Sequence, residues 1–119
     1  MKRIISTKNK RNAPSSELGR QAFANFTIAG VSRYKGKGYY WELWNEPDLS
    51  YSWHPTPNAS AYAQLALTVG KALKTLFPTE VFFGAGLSNI VNLDFATEII
   101  KAGVLNYFDA FSVHGYGNC

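Results

Sequence analysis

The sequence predicts an α/β fold built on a parallel sheet, and three observations carry that expectation. The segments "YYWELW", "EVFFGAG" and "DAFSVHGY" are short, apolar and rich in aromatic or β-branched residues, as strands are. Each is preceded by a stretch with helical periodicity. Helices that alternate with strands imply right-handed βαβ units, because a parallel connection must cross over the sheet.

Residues 1–14 read as a basic, loop-like N-terminal segment, and residues 15–119 as the α/β domain. Ser15 or Ser16 caps a helix from Glu17 to Tyr34, with Phe23, Phe26, Gly30 and Tyr34 as its inner face. "KGKG" breaks it before "YYWELW". A loop rich in Pro, Asp and Ser follows. Asn58 caps the second helix, which Pro78 stops. Tyr62, Leu65, Ala66, Val69, Leu73 and Leu76 recur at i, i+3, i+4, i+7 and form its buried stripe. After "EVFFGAG", Asn92 caps a third helix carrying Phe95, Ile99 and Ile100, and Gly103 ends it. "DAFSVHGY" closes the series.

Composition narrows the function classes. With 46% hydrophobic and 15% aromatic residues in 119, the chain can bury one core and is not a disordered polymer. No apolar run is long enough to cross a bilayer, and "MKRIISTKNKRN" has no apolar core of the kind a signal peptide carries. The compartment is not legible. The net charge of +4 is concentrated before Gly38, yet aromatic and basic residues do not interleave there, so a solvated tail is expected rather than a nucleic-acid surface. Cys119 is the single cysteine, and His54 and His114 lack metal-binding spacing. No metal or cofactor is expected.

Chemistry is expected where parallel strands end, because clefts form at their C-terminal edges. "WNEP" closes the first strand and "HGY" the last. Glu46 therefore stands at a strand end, and Pro47, which cannot donate a ladder hydrogen bond, turns the chain away. In a regular strand Glu42, Trp44 and Glu46 share a face, and a buried Glu42 needs a partner that the neighbouring sequence does not offer. In the last strand Ala110, Ser112, His114 and Tyr116 share one face, and Phe111 and Val113 the other.

"YYWELWNEPD" resembles the acid/base signature of retaining glycoside hydrolases with a (β/α)8 barrel, the clan of cellulases and β-xylosidases. The run "AFANFTIAGVSRYKGKGYYWELWNEP" resembles the third helix and fourth strand of those enzymes, and "HGY" is similar to their His-x-Tyr after the sixth strand. The resemblance covers residues 14–118 and implies a partial (β/α)8 barrel, strands four to six. It implies that Glu46 is the proton donor and that Asn45 binds the sugar hydroxyl next to the reacting carbon. It places His114 and Tyr116 on the active-site wall. Trp44 and Trp53 are candidate sugar-facing aromatics, with a place in the core or as a loop anchor as the competing role. The implied substrate is a β-linked oligo- or polysaccharide.

Retaining cleavage needs two carboxyl groups about 5–5.5 Å apart, one to protonate the leaving oxygen and one to attack the anomeric carbon. In the family the attacking glutamate ends the seventh strand. The last glutamate here is Glu98, inside the third expected helix. The isolated chain is therefore expected to be inactive. Its open sheet edges favour self-association or completion by a partner. A sugar-binding or interaction module is the alternative to an enzyme segment.

Overall fold

The computed structural model describes residues 2–4, 12–89 and 92–116. Four strands form one sheet in the order β1 (Lys2–Ile4), β2 (Tyr40–Leu43), β3 (Val81–Leu87) and β4 (Ala110–Val113). Every neighbouring pair is parallel, with Trp41 opposite Phe82 and Gly84 opposite Phe111. Three helices connect them: α1 (Glu17–Tyr34), α2 (Ala59–Leu76) and α3 (Leu93–Lys101). The α/β class and the alternation read from the sequence hold.

β1 is the addition. It lies in the segment expected to be a loop, and it pairs with the edge of β2, Lys2 opposite Trp41 and Ile4 opposite Leu43. The backbone groups of β2 need partners on both sides, and a short segment can meet that need despite its charge. The rest of the basic stretch, residues 5–11, lies outside the described residues, as does Cys119.

The caps are those of the sequence reading, with one exception. Ser16 Oγ accepts from the Gly19 amide at 2.9 Å and Asn58 Oδ1 from the Ala61 amide at 2.9 Å. Asn92 precedes α3 but makes no side-chain cap. Gly103, at φ 100°, ends that helical stretch in the left-handed conformation glycine tolerates. A 3-10 turn at Val104–Asn106 then leads into β4.

The core lies between sheet and helices. Trp41, Leu43 and Phe82 meet Phe23 and Val31 of α1, Tyr62, Leu65, Val69 and Leu73 of α2, and Phe95 and Ile99 of α3. Leu76 and Ile100 were expected in this layer and are exposed, Leu76 in the last residue of α2.

The inner face of α1 also differs from expectation. Phe23 is buried, but Phe26 is 51% exposed and Tyr34 is exposed, while Ala24, Thr27 and Val31 face inward. α1 carries apolar residues around its circumference, so periodicity alone does not select a stripe. Small residues let α1 approach its neighbours, and the buried Thr27 hydroxyl donates to the Phe23 carbonyl at 2.9 Å.

β3 passes close beneath α2. A Cβ on Gly84 would lie 2.7 Å from the Tyr62 hydroxyl and 2.8 Å from the Phe108 ring. Tyr62 in turn donates to the Leu43 carbonyl at 3.0 Å, tying α2 to β2.

Candidate active site

β2 ends at Leu43, and the chain beyond it is not a regular strand. Trp44 and Glu46 adopt positive φ values of 65° and 52°, a left-handed conformation that side chains rarely take and that surroundings must hold. The alternation expected for Glu42, Trp44 and Glu46 is therefore broken. Trp44 turns into the core, between Phe23 at 5.7 Å and Trp53 at 5.4 Å between ring centres, and its Nε1 donates to the Ser52 carbonyl.

Trp44 and Trp53 were candidates for sugar contact, and the fold corrects this. They are 6% and 2% exposed, and Trp53 packs on to Tyr62. A ring covered in this way has no open face for a sugar. Together they anchor the loop after β2 to α2.

Glu46 turns instead toward β4. Its amide donates to the Gly86 carbonyl at 2.9 Å, which fixes its backbone against β3. Its Oε1 lies 2.8 Å from His114 Nδ1 and accepts from the Tyr116 hydroxyl at 3.1 Å. Both contacts fall on Oε1, and no described residue hydrogen-bonds Oε2. The side chains of Glu46 and His114 are only 14% and 19% exposed, whereas Tyr116 stands open to solvent. Beside them, Asn45 Oδ1 is buried without a partner among the described residues. The structure thus brings Glu46, His114 and Tyr116 together at one rim, at the C-terminal ends of β2 and β4, with Asn45 next to Glu46 in the chain.

Below the rim lies a second carboxylate. Glu42 is buried, and its Oε1 accepts from Ser112 Oγ at 2.9 Å. The sequence offered no neighbour for Glu42; the partner comes from β4, 70 residues away. Its charge also bears on Tyr62, whose hydroxyl is pushed well above its ordinary pKa by burial first and by Glu42 second.

Asp48, in the loop rich in Pro, Asp and Ser after β2, does more than turn the chain. Its carboxylate accepts from the Ser88 amide at 2.9 Å, the Ser88 hydroxyl at 2.8 Å and Asn92 Nδ2 at 3.1 Å. The Asn92 side chain, which makes no cap on α3, is turned toward Asp48 through its Nδ2. The clamp joins the loop after β2 to the loop after β3. Ser112 and Asp48 are the residues sequence reasoning passed over. Ser112 carried a signal, since it lies two residues before His114 on the same strand face.

Among the described residues no group of three His, Cys, Asp or Glu side chains could hold a metal ion. No described helix is long and apolar enough to cross a membrane.

No protein-family model and no curated protein matches the chain. Solved structures do. The GH39 enzyme from Xanthomonas axonopodis pv. citri aligns with TM-score 0.66 at 20% identity, over 88% of this chain and 21% of its own. A monomeric β-xylosidase from Caulobacter crescentus CB15 aligns with TM-score 0.63 at 24% identity, over 84% and 20%. A GH39 β-xylosidase from Caulobacter crescentus gives 0.60 at 23%, over 82% and 22%. The fold of this chain is similar to that of a segment of these enzymes. The chain spans about a fifth of the length of these GH39 neighbours. The partial (β/α)8 barrel expected from the sequence agrees with this likeness, which is one of fold.

Proposed function

We propose that the chain is the acid/base segment of a glycoside hydrolase that cleaves β-linked glycans with retention, and that Glu46 is its general acid/base. One observation carries the reading: Glu46 projects from a strand end, its Oε1 held by His114 and Tyr116, with Oε2 left for a substrate oxygen. In the proposed reaction the Glu46 carboxyl gives its proton to the glycosidic oxygen as the C–O bond breaks. A second carboxylate attacks the anomeric carbon. Glu46 then takes a proton from the water that releases the sugar. Asn45 Oδ1 accepts from the hydroxyl beside the reacting carbon, and His114 and Tyr116 fix the orientation of Glu46.

The second carboxylate is not among the chain's eight acidic residues at this rim. Glu42 is occupied by Ser112 beneath the site, and Asp48 by Ser88 and Asn92. Asp109 and Glu80 lie at the opposite, N-terminal ends of the strands, and Glu17, Asp94 and Glu98 are on helices. That observation favours a second reading, in which the chain alone binds sugar without chemistry.

Calorimetry with xylo- and cello-oligosaccharides tests both. Saturable heat that weakens in Asn45→Ala supports the sugar site; silence with every oligosaccharide removes it. Hydrolysis of an aryl β-glycoside that Glu46→Gln leaves unchanged rules out the acid/base role.

A further inference from the structure

β3 contains an irregularity directly behind the site. Ala85 pairs with Ser112 and Leu87 with Val113, so Gly86 is an extra residue without a ladder partner. Its φ is +60°, and a Cβ there would meet Glu42 Oε1 at 3.1 Å. The position therefore calls for glycine. The Gly86 amide, displaced from the ladder, donates to Ser112 Oγ at 2.7 Å. The Ser112 hydroxyl donates onward to Glu42 Oε1 at 2.9 Å. The Gly86 carbonyl accepts from the Glu46 amide at 2.9 Å.

We infer that Ser112, oriented by Glu42, is a positioning residue that holds the Gly86 bulge and through it the backbone and carboxylate of Glu46. The physical argument is one of direction. A hydroxyl both accepts and donates, and at Ser112 each role has a partner. Without it the buried Gly86 amide loses its acceptor, a situation that costs enough for the bulge to rearrange. The Gly86 carbonyl moves with the bulge. Glu46 sits at φ 52°, a conformation that persists only while its neighbours impose it. Releasing its amide therefore releases the side chain from His114. Ser112 acts through Gly86, without touching Glu46 itself.

The inference rests on Glu46 being the working carboxylate of the proposed function, but its test separates the two. The chain has two histidines, and His54, whose Nδ1 contacts the Ser50 carbonyl, serves as an internal reference. Nitrogen-15 NMR of the imidazoles reads the His114 Nδ1 contact with Glu46 directly. Ser112→Ala is expected to abolish that signature and leave His54 unchanged, and Ser112→Thr, which keeps the hydroxyl, to restore it. Val113→Ala, next in sequence on the other strand face, is expected to leave it in place. Ser112→Cys preserves volume with a weak hydrogen-bonding group, and it reads the relay should the alanine variant unfold. A folded Ser112→Ala or Ser112→Cys protein with an unaltered His114 signal overturns the inference. An equal shift in Val113→Ala does the same, because the effect would then be general loosening. Xylo-oligosaccharide titration adds the second arm: affinity is expected to fall roughly tenfold in Ser112→Ala, the size of one hydrogen bond. Wild-type protein that binds no oligosaccharide removes the glycosidase reading, while the His114 signal still decides the relay.

Discussion

His114 Nδ1 lies 2.8 Å from Glu46 Oε1, although 68 residues separate them in the chain. The contact joins the ends of β2 and β4 across the intervening β3. A side-chain hydrogen bond with little solvent access is worth about 0.5–1.5 kcal/mol. His114→Ala is expected to destabilise the fold by that order, and Glu46→Gln by less, because the amide oxygen still accepts from Tyr116. Urea unfolding of the single and double variants should show coupling of about 1 kcal/mol or more between the two positions. Strict additivity would mean the pair is not formed in solution.

Asp48 gathers three donors from the loop after β3. Asp48→Ala leaves the Ser88 amide and hydroxyl and the Asn92 amide without their acceptor. A loss of about 3 kcal/mol is expected, and a smaller one for Asp48→Asn, which keeps one oxygen. Chemical denaturation measures both. A cost below roughly 0.5 kcal/mol, ordinary for surface positions, would show that the clamp is replaced by water.

Two groups are expected to make stability depend on pH, in opposite directions. For Asp109, partial burial pushes the carboxyl up, but the Lys74 hydrogen bond, the Phe82 amide at 2.8 Å and the Lys74 charge together hold it below the ordinary value. Its folded pKa is thus depressed. The contribution is present above the unfolded value, about 3.9, and is lost as pH falls through the folded one. Tyr62 is raised, by burial and then by Glu42. Its contribution is present below about pH 10, where the unfolded phenol titrates, and is lost as pH rises beyond that. Thermal melts across pH should show Asp109→Asn flattening the acid limb and Tyr62→Phe the alkaline limb. Unchanged limbs would assign the pH dependence to other groups.

Two glycines should respond oppositely to alanine. At Gly84 the new methyl meets the buried Tyr62 hydroxyl and Phe108 ring below 3 Å, so Gly84→Ala is expected to cost about 1–3 kcal/mol. At Gly30, inside α1, nothing lies within 4 Å. Gly30→Ala removes backbone freedom from the unfolded chain and should stabilise by about 0.5–1 kcal/mol. A melting temperature that does not fall in Gly84→Ala would contradict the close approach of β3 to α2.

By itself the sequence determined the three helices and the strands β2, β3 and β4, though not β1, because caps, breakers and apolar periodicity act over a few residues. Ser16 and Asn58 as caps, the stripe from Tyr62 to Leu73, the three parallel strands and the strand-end position of Glu46 all follow from such local rules. The common face of Ser112, His114 and Tyr116 follows from the two-residue period of a strand. Only the tertiary structure decided what each side chain meets. Trp44 leaves the alternation because its backbone is left-handed, a state that side-chain pattern does not encode. Trp53 is drawn into the core because Trp44 and Tyr62 flank it. Glu42 finds Ser112, and Asp48 finds Ser88 and Asn92, across 40 to 70 residues. A buried polar group must be satisfied by whatever the fold brings near, and that neighbour exists only once the strands are aligned.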